Sequence, residues 1–146
     1  MFNMKIEELK SVDSIVLDDL NRLLGQLSVD INPIKEILLK DIIGSASVHL
    51  FVAKDGERII GALTLVENNL LSGYKASIED VVVDTSRRGE GIGRKLIEFV
   101  IQFAKNSGIE KIDLTSRPDR LAANQLYKKI GFVLRDTNVY RYQLVD

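Results

Sequence analysis

The chain has 146 residues, 45% of them hydrophobic and 28% charged, and its net charge is −1. These proportions fit one folded domain over residues 1–146. They exclude a disordered polymer and give no global attraction to nucleic acid or an anionic membrane. Cysteine is absent and His49 is the one histidine, so there is no disulfide framework and no thiolate cluster or nucleophile, and no metal site is expected.

Met4 to Leu9 reads as a first strand. Between Val12 and Leu27, the residues Ile15, Val16, Leu20, Leu23, Leu24 and Leu27 recur at helical spacing. Asn32-Pro33 reads as a cap followed by a first-turn proline, opening a second helix over 34–43. Val48 to Lys54 and Arg58 to Glu67 flank Asp55-Gly56 and predict a hairpin. His49 lies in the first of these runs and reads as a packed or half-exposed strand residue rather than a catalytic one. A turn at Gly73 leads into a third strand, Ala76 to Val83, completing an antiparallel meander.

The pattern then alternates between helix and strand. Ile92 to Asn106 carries an apolar stripe of Ile92, Leu96, Val100 and Phe103 and stops at Gly108. Lys111 to Thr115 is a strand, expected parallel to 76–83 through a right-handed crossover. Pro118-Asp119 opens a helix over 120–130 that Gly131 ends, and closing strands are expected at 132–134 and 139–144. The fold class is mixed α/β, with no repeat or linker. No apolar run spans a membrane and the first ten residues lack a signal-peptide core, so a soluble, cytoplasmic protein is expected.

The strongest signal lies between Val83 and the helix at Ile92, in Asp84-Thr85-Ser86-Arg87-Arg88-Gly89-Glu90-Gly91-Ile92-Gly93-Arg94. Three glycines at alternate positions allow a tight turn and a close approach by a ligand. The amides opening the helix, with the positive end of its dipole, suit phosphate oxygens. Arg87, Arg88, Arg94 and Lys95 add local positive charge, so a pyrophosphate is the ligand that fits. A dinucleotide fingerprint is tempting because Asp113 lies twenty positions beyond Gly93, but the third glycine is out of register and the preceding strand closes a meander. A nucleoside-triphosphate loop would need Gly-Lys-Ser or Gly-Lys-Thr, and neither occurs.

Ile78-Glu79-Asp80-Val81-Val82-Val83-Asp84 followed by Arg88-Gly89-Glu90-Gly91-Ile92-Gly93 resembles the acetyl-CoA motif (R/Q)xxGx(G/A) of the GNAT superfamily of N-acetyltransferases. Ala122-Ala123-Asn124-Gln125-Leu126-Tyr127 with Gly131-Phe132 is similar to that superfamily's later helix. The likeness is specific from Ile78 to Phe132. It implies antiparallel N-terminal strands, then a parallel pair that splays apart, with helices on both faces. It also implies acetyl-CoA as acyl donor, its pantetheine bonding to backbone near Val81 and Val83, its pyrophosphate held by Arg88, Gly89, Gly91, Gly93 and Arg94, Asn124 beside the cofactor arm, and Tyr127 beside the thioester sulfur.

The implied chemistry is direct attack by an amine on the thioester, without an acyl-enzyme. An alkylammonium of pKa ~10.4 must first lose a proton, which costs roughly 4–5 kcal/mol at pH 7. Glu79 and Asp80 are the candidate bases; alternation sends them to opposite faces of the strand, and the resemblance favours Glu79. Tyr127, three residues after Asn124 and so on the same helix face, is the candidate acid or hydrogen-bond donor to the leaving thiolate. The rival readings are a non-catalytic acyl-CoA sensor and a dinucleotide oxidoreductase. The acceptor amine is left open: the first two helices are mainly apolar, with Asp18, Asp19, Asp30, Tyr140 and Tyr142 as scattered polar candidates, and no acidic cluster marks a polyamine. A homodimer is compatible with these features.

Overall fold

A computed structural model describes residues 4–146. In chain order, β1 (Met4–Glu8), α1 (Ser14–Leu27), α2 (Glu36–Gly44), β2 (Val48–Asp55), β3 (Arg58–Leu70) and β4 (Gly73–Val83) precede α3 (Ile92–Asn106), β5 (Lys111–Asp113) and α4 (Leu121–Ile130). The chain forms two compact units, one ending at Thr115 and one over Ser116–Asp146.

In the first unit the five strands lie in the order β1-β2-β3-β4-β5. The first three pairings are antiparallel and the last is parallel, as the sequence pattern predicts. The β2–β3 hairpin closes tightly, Asp55 opposite Arg58, with Gly56 at φ +61°. Such a left-handed position favours glycine.

Alternation along β2 sorts the core onto two faces. Leu50 and Val52 join Ala62, Val82, Leu20 and Leu23 in a buried cluster with α1 and α2. His49 and Phe51 point the other way and meet Phe103 of α3 with tilted and edge-on rings, 4.9 and 5.1 Å between centroids. His49 is held between Glu8 (3.0 Å) and Glu67 (3.2 Å) and is a packed strand residue, as expected. On α3, Ile92, Leu96, Ile97 and Val100 are buried, each contributing about 1.5–3 kcal/mol. Gly61 sets how closely α3 approaches: a Cβ there would stand 3.1 Å from both Ile92 Cγ2 and Leu96 Cδ1. The start of α3 is therefore seated directly on β3.

Several element ends differ from the sequence reading by a few residues, β5 stopping at Asp113 rather than Thr115, and two departures are larger. The second helix begins at Glu36 with Lys35 as its cap, not at Asn32-Pro33. The Asn21 side chain grips Ile34, accepting from its N–H (2.7 Å) and donating to its carbonyl (3.1 Å), and these bonds keep that residue out of the helix. The expected closing strands at 132–134 and 139–144 do not form; residues 132–146 carry no regular element. Tyr140, Tyr142 and Leu144 are each 87% exposed. Their alternation supplies strand propensity, but a strand exists only once its backbone groups are paired in a ladder. Among the described residues, no helix is long and apolar enough to cross a membrane.

Candidate active site

The exit of β4 is anchored by Asp84, which is only 8% exposed. Its N–H donates to the Ile60 carbonyl (2.8 Å), and its carboxylate accepts from the Ser86 N–H (3.1 Å) and hydroxyl (2.9 Å). Arg22 of α1 donates to the other carboxylate oxygen and also to the Ile59 carbonyl (2.9 Å). Burial alone would raise the Asp84 pKa, but the Ser86 bonds and the Arg22 guanidinium outweigh it and bring the value from 3.8 down to about 2. Asp19 is buried beside Arg22, accepting from the Ile59 N–H at 3.0 Å. Thr85 N–H donates to Gln26 at 2.9 Å. Helix α1 thus fixes the first residues of the loop at two points.

Past this anchor the loop is shaped by glycine. Gly89 and Gly91 have φ of +83° and +78°, and Gly91 is the left-handed cap of α3. A Cβ at either glycine would meet nothing within 4 Å, so the space over them is open. No side chain caps the first turn of α3, which leaves its amides and its dipole pointing into that space. Gly93 lies inside the helix. Of the four cations expected here, Arg87 is committed to Asp55 (2.9 Å) and Glu90 (2.9 Å), and Arg94 pairs with Glu98 (2.6 Å). Arg88 and Lys95 are exposed and have no ion-pair partner among the described residues.

The neighbouring strand edge is open. β5 pairs with β4 only from Lys75 to Ser77. From Ile78 to Val83, including Val81 and Val83, β4 has no strand on that side among the described residues, so backbone groups remain for an amide-bearing ligand.

On its other edge β4 carries a bulge. Glu79 faces Thr64 and Val82 faces Ala62, so Asp80 and Val81 together stand opposite Leu63. Asp80 adopts φ +52°, a left-handed conformation that aspartate tolerates better than most residues. The expected alternation therefore breaks. Thr64, Val82 and Asp80 line one cavity of about 90 Å³ beneath α1 and α2. Glu79, in register with Thr64, shares their face instead of lying opposite to Asp80.

Asn124 and Tyr127 belong to the second unit, on α4. The Asn124 amide donates to the carbonyls of Arg117 (2.9 Å) and Arg120 (2.8 Å), fixing the turn into the helix and leaving its own carbonyl as an acceptor. Tyr127 meets Phe132 edge-on with ring centroids 6.0 Å apart. Burial raises its phenol pKa above 10, partly opposed by Arg120, so the side chain stays neutral and protonated at ordinary pH.

A family model described as acetyltransferase (GNAT) family matches residues 16–132. The chain belongs to the acetyltransferase (GNAT) family. It is 36% identical over 98 residues to N-alpha-acetyltransferase 30 of Schizosaccharomyces pombe, covering 64% of this chain and 63% of that protein. It is 35% identical over 78 residues to a streptothricin acetyltransferase of Escherichia coli, covering 53% and 45%. In both cases the match spans less than two thirds of the relative's own length. Among solved structures, an aminoglycoside acetyltransferase from an uncultured soil metagenomic sample superposes with TM-score 0.86 at 24% identity over 98% of this chain and 97% of that one. The aminoglycoside N-acetyltransferase AAC(6')-Iy in complex with CoA gives TM-score 0.82 at 16% identity over 99% and 97%. At these identities the likeness is one of fold.

Two features of this family member were not found in the sequence. Asp84 and Arg22 are 62 positions apart, and nothing local to either announces the other. The bulge left one trace, two consecutive acids interrupting the apolar run between Ile78 and Val81.

Proposed function

We propose that the chain is an N-acetyltransferase moving an acetyl group from acetyl-CoA to a primary amine. The observation that carries this reading is one junction: two left-handed glycines under open space, an uncapped helix start, and a strand edge open beside it. In this reading the amides at Gly89, Gly91 and Gly93, with Arg88 and with Arg94 once it leaves Glu98, hold the diphosphate. Pantetheine extends β4 by pairing with backbone near Val81 and Val83, and the Asn124 carbonyl accepts from its amide. The match of one family model across residues 16–132 supports assigning both compact units to one acetyltransferase domain.

Glu79 takes a proton from the bound ammonium, directly or through water, and the amine lone pair attacks the thioester carbon. As the tetrahedral adduct collapses the C–S bond breaks, and the departing thiolate, held by the Tyr127 hydroxyl, takes up the nitrogen's second proton, either directly or by Tyr127 giving its own proton and regaining the nitrogen's. A phenol raised by burial is a poor proton donor but remains a hydrogen-bond donor, which suits stabilisation of the thiolate. Holding two reactants together supplies much of the rate.

Isothermal titration with coenzyme A and acetyl-CoA tests the reading. Micromolar binding that Gly91→Val abolishes is the expected result, and no heat from either ligand would overturn it.

A further inference from the structure

Resting on the acetyltransferase reading, we infer that the acceptor is a primary amine with a single positive charge and an apolar body, seated between α1, α2 and the β4 bulge with its nitrogen at Asp80. The cavity beneath α1 and α2 is lined by Leu20, Leu24, Ile34, Leu39 and Val82, with Thr64 and Asp80 as its polar positions. A wider cleft of about 560 Å³ shares Leu24, Ile34 and Asp80 with it and adds Ile31, Ile37 and Leu38, with Asn32 and Lys35 as further polar positions. Asp80 therefore stands where the inner cavity and the outer cleft meet.

Three observations select the ligand. Asp80 is exposed and has no hydrogen-bond or ion-pair partner among the described residues, so its carboxylate is available to a cation from outside the chain. Among the described residues it is also the only carboxylate lining either space, and the one other charged residue there is Lys35. An amine with several ammonium groups would find one partner and then meet Lys35, a like charge. Lastly, Ile37 and Leu38, which line the outer cleft, are 72% and 51% exposed and form an apolar surface. Buried hydroxyls of a sugar would be left unsatisfied against such walls, whereas an aliphatic or aromatic body gains from them. Glu79, on the same sheet face, is left for proton removal while Asp80 orients the nitrogen.

The test measures thiol release from acetyl-CoA with 2-phenylethylamine, isoamylamine, glucosamine 6-phosphate, spermidine and kanamycin. The two apolar monoamines should exceed the other three in kcat/KM by on the order of tenfold or more. Asp80→Asn should raise the KM for 2-phenylethylamine by on the order of tenfold, and coenzyme A affinity should stay unchanged by calorimetry. Ile37→Glu, at an exposed position that folding does not need, should lower kcat/KM for the same amine. Faster acetylation of kanamycin, spermidine or glucosamine 6-phosphate, or an unchanged KM in Asp80→Asn, overturns the inference and leaves the enzyme reading standing. If coenzyme A itself fails to bind, the enzyme reading falls, and calorimetry of 2-phenylethylamine against the chain alone then decides the cleft: binding that Asp80→Asn weakens upholds it, and no binding ends it.

Discussion

Strand β4 meets its two candidate ligands with different materials. Beyond Val83 the chain offers backbone: amides of a loop whose glycines sit at positive φ, at the uncapped start of α3. Three residues before Val83, at Asp80, it offers side chains, because a bulge turns a carboxylate toward an apolar cleft. A backbone site constrains residue type severely, since only glycine occupies such φ without strain and leaves room above it. A side-chain site can be relined at little cost to the fold. The donor end should therefore tolerate almost no substitution, and the acceptor end should change preference without losing the donor.

The largest effect expected from this contrast is at Gly91. Gly91→Val places a β-branched residue at φ +78°, straining the backbone by about 1–2 kcal/mol and filling the space over the helix start. Coenzyme A affinity should fall at least ~100-fold by calorimetry. An intact affinity would show that the glycines merely make a turn. Next in size is Tyr127→Phe, which keeps the ring against Phe132 and removes the hydroxyl. Turnover should fall on the order of 10- to 100-fold with coenzyme A affinity unchanged; unchanged turnover would remove Tyr127 from the chemistry. Gly61→Ala probes the scaffold beneath both ends, because the added methyl presses on Ile92 and Leu96. It should cost about 1–3 kcal/mol in denaturant melts and weaken coenzyme A binding by shifting the start of α3.

The same contrast explains what the sequence made legible. Strand order, the bounds of α3 and the glycine turn that leads into it could all be read, since apolar periodicity and obligatory glycines are local signals. What depended on partners distant in sequence could not. The start of α2 is set by Asn21 gripping Ile34, thirteen residues away. The faces of Glu79 and Asp80 are set by a slip against Leu63 on another strand. The segment after Phe132 has a strand's alternation without a strand, because pairing is not a property of one segment. Of the loop's four cations, two are engaged, Arg87 by residues as far apart as Asp55 and Glu90.

Asp84 gives the smallest effect expected and the one that ties the anchor to pH. Its carboxyl is held at about 2 against an ordinary 3.8, so the folded chain binds the charged form more favourably than the unfolded chain does. A depressed carboxyl contributes stability above its unfolded value and loses it as pH falls through the folded one. Its contribution should be full above about pH 5 and fade between about pH 4 and pH 2, reaching at most about 2 kcal/mol. Asp84→Asn keeps the shape and much of the hydrogen bonding to Ser86 but leaves Arg22 without its anion. The stability difference between the parent and this variant, from urea melts at each pH, should be constant near neutrality and shrink as pH falls from about 4 through about 2. Every other carboxylate is common to both proteins, so that difference isolates Asp84. A difference that is flat across the acid range would mean that Asp84 shapes the loop through hydrogen bonds alone, without its charge.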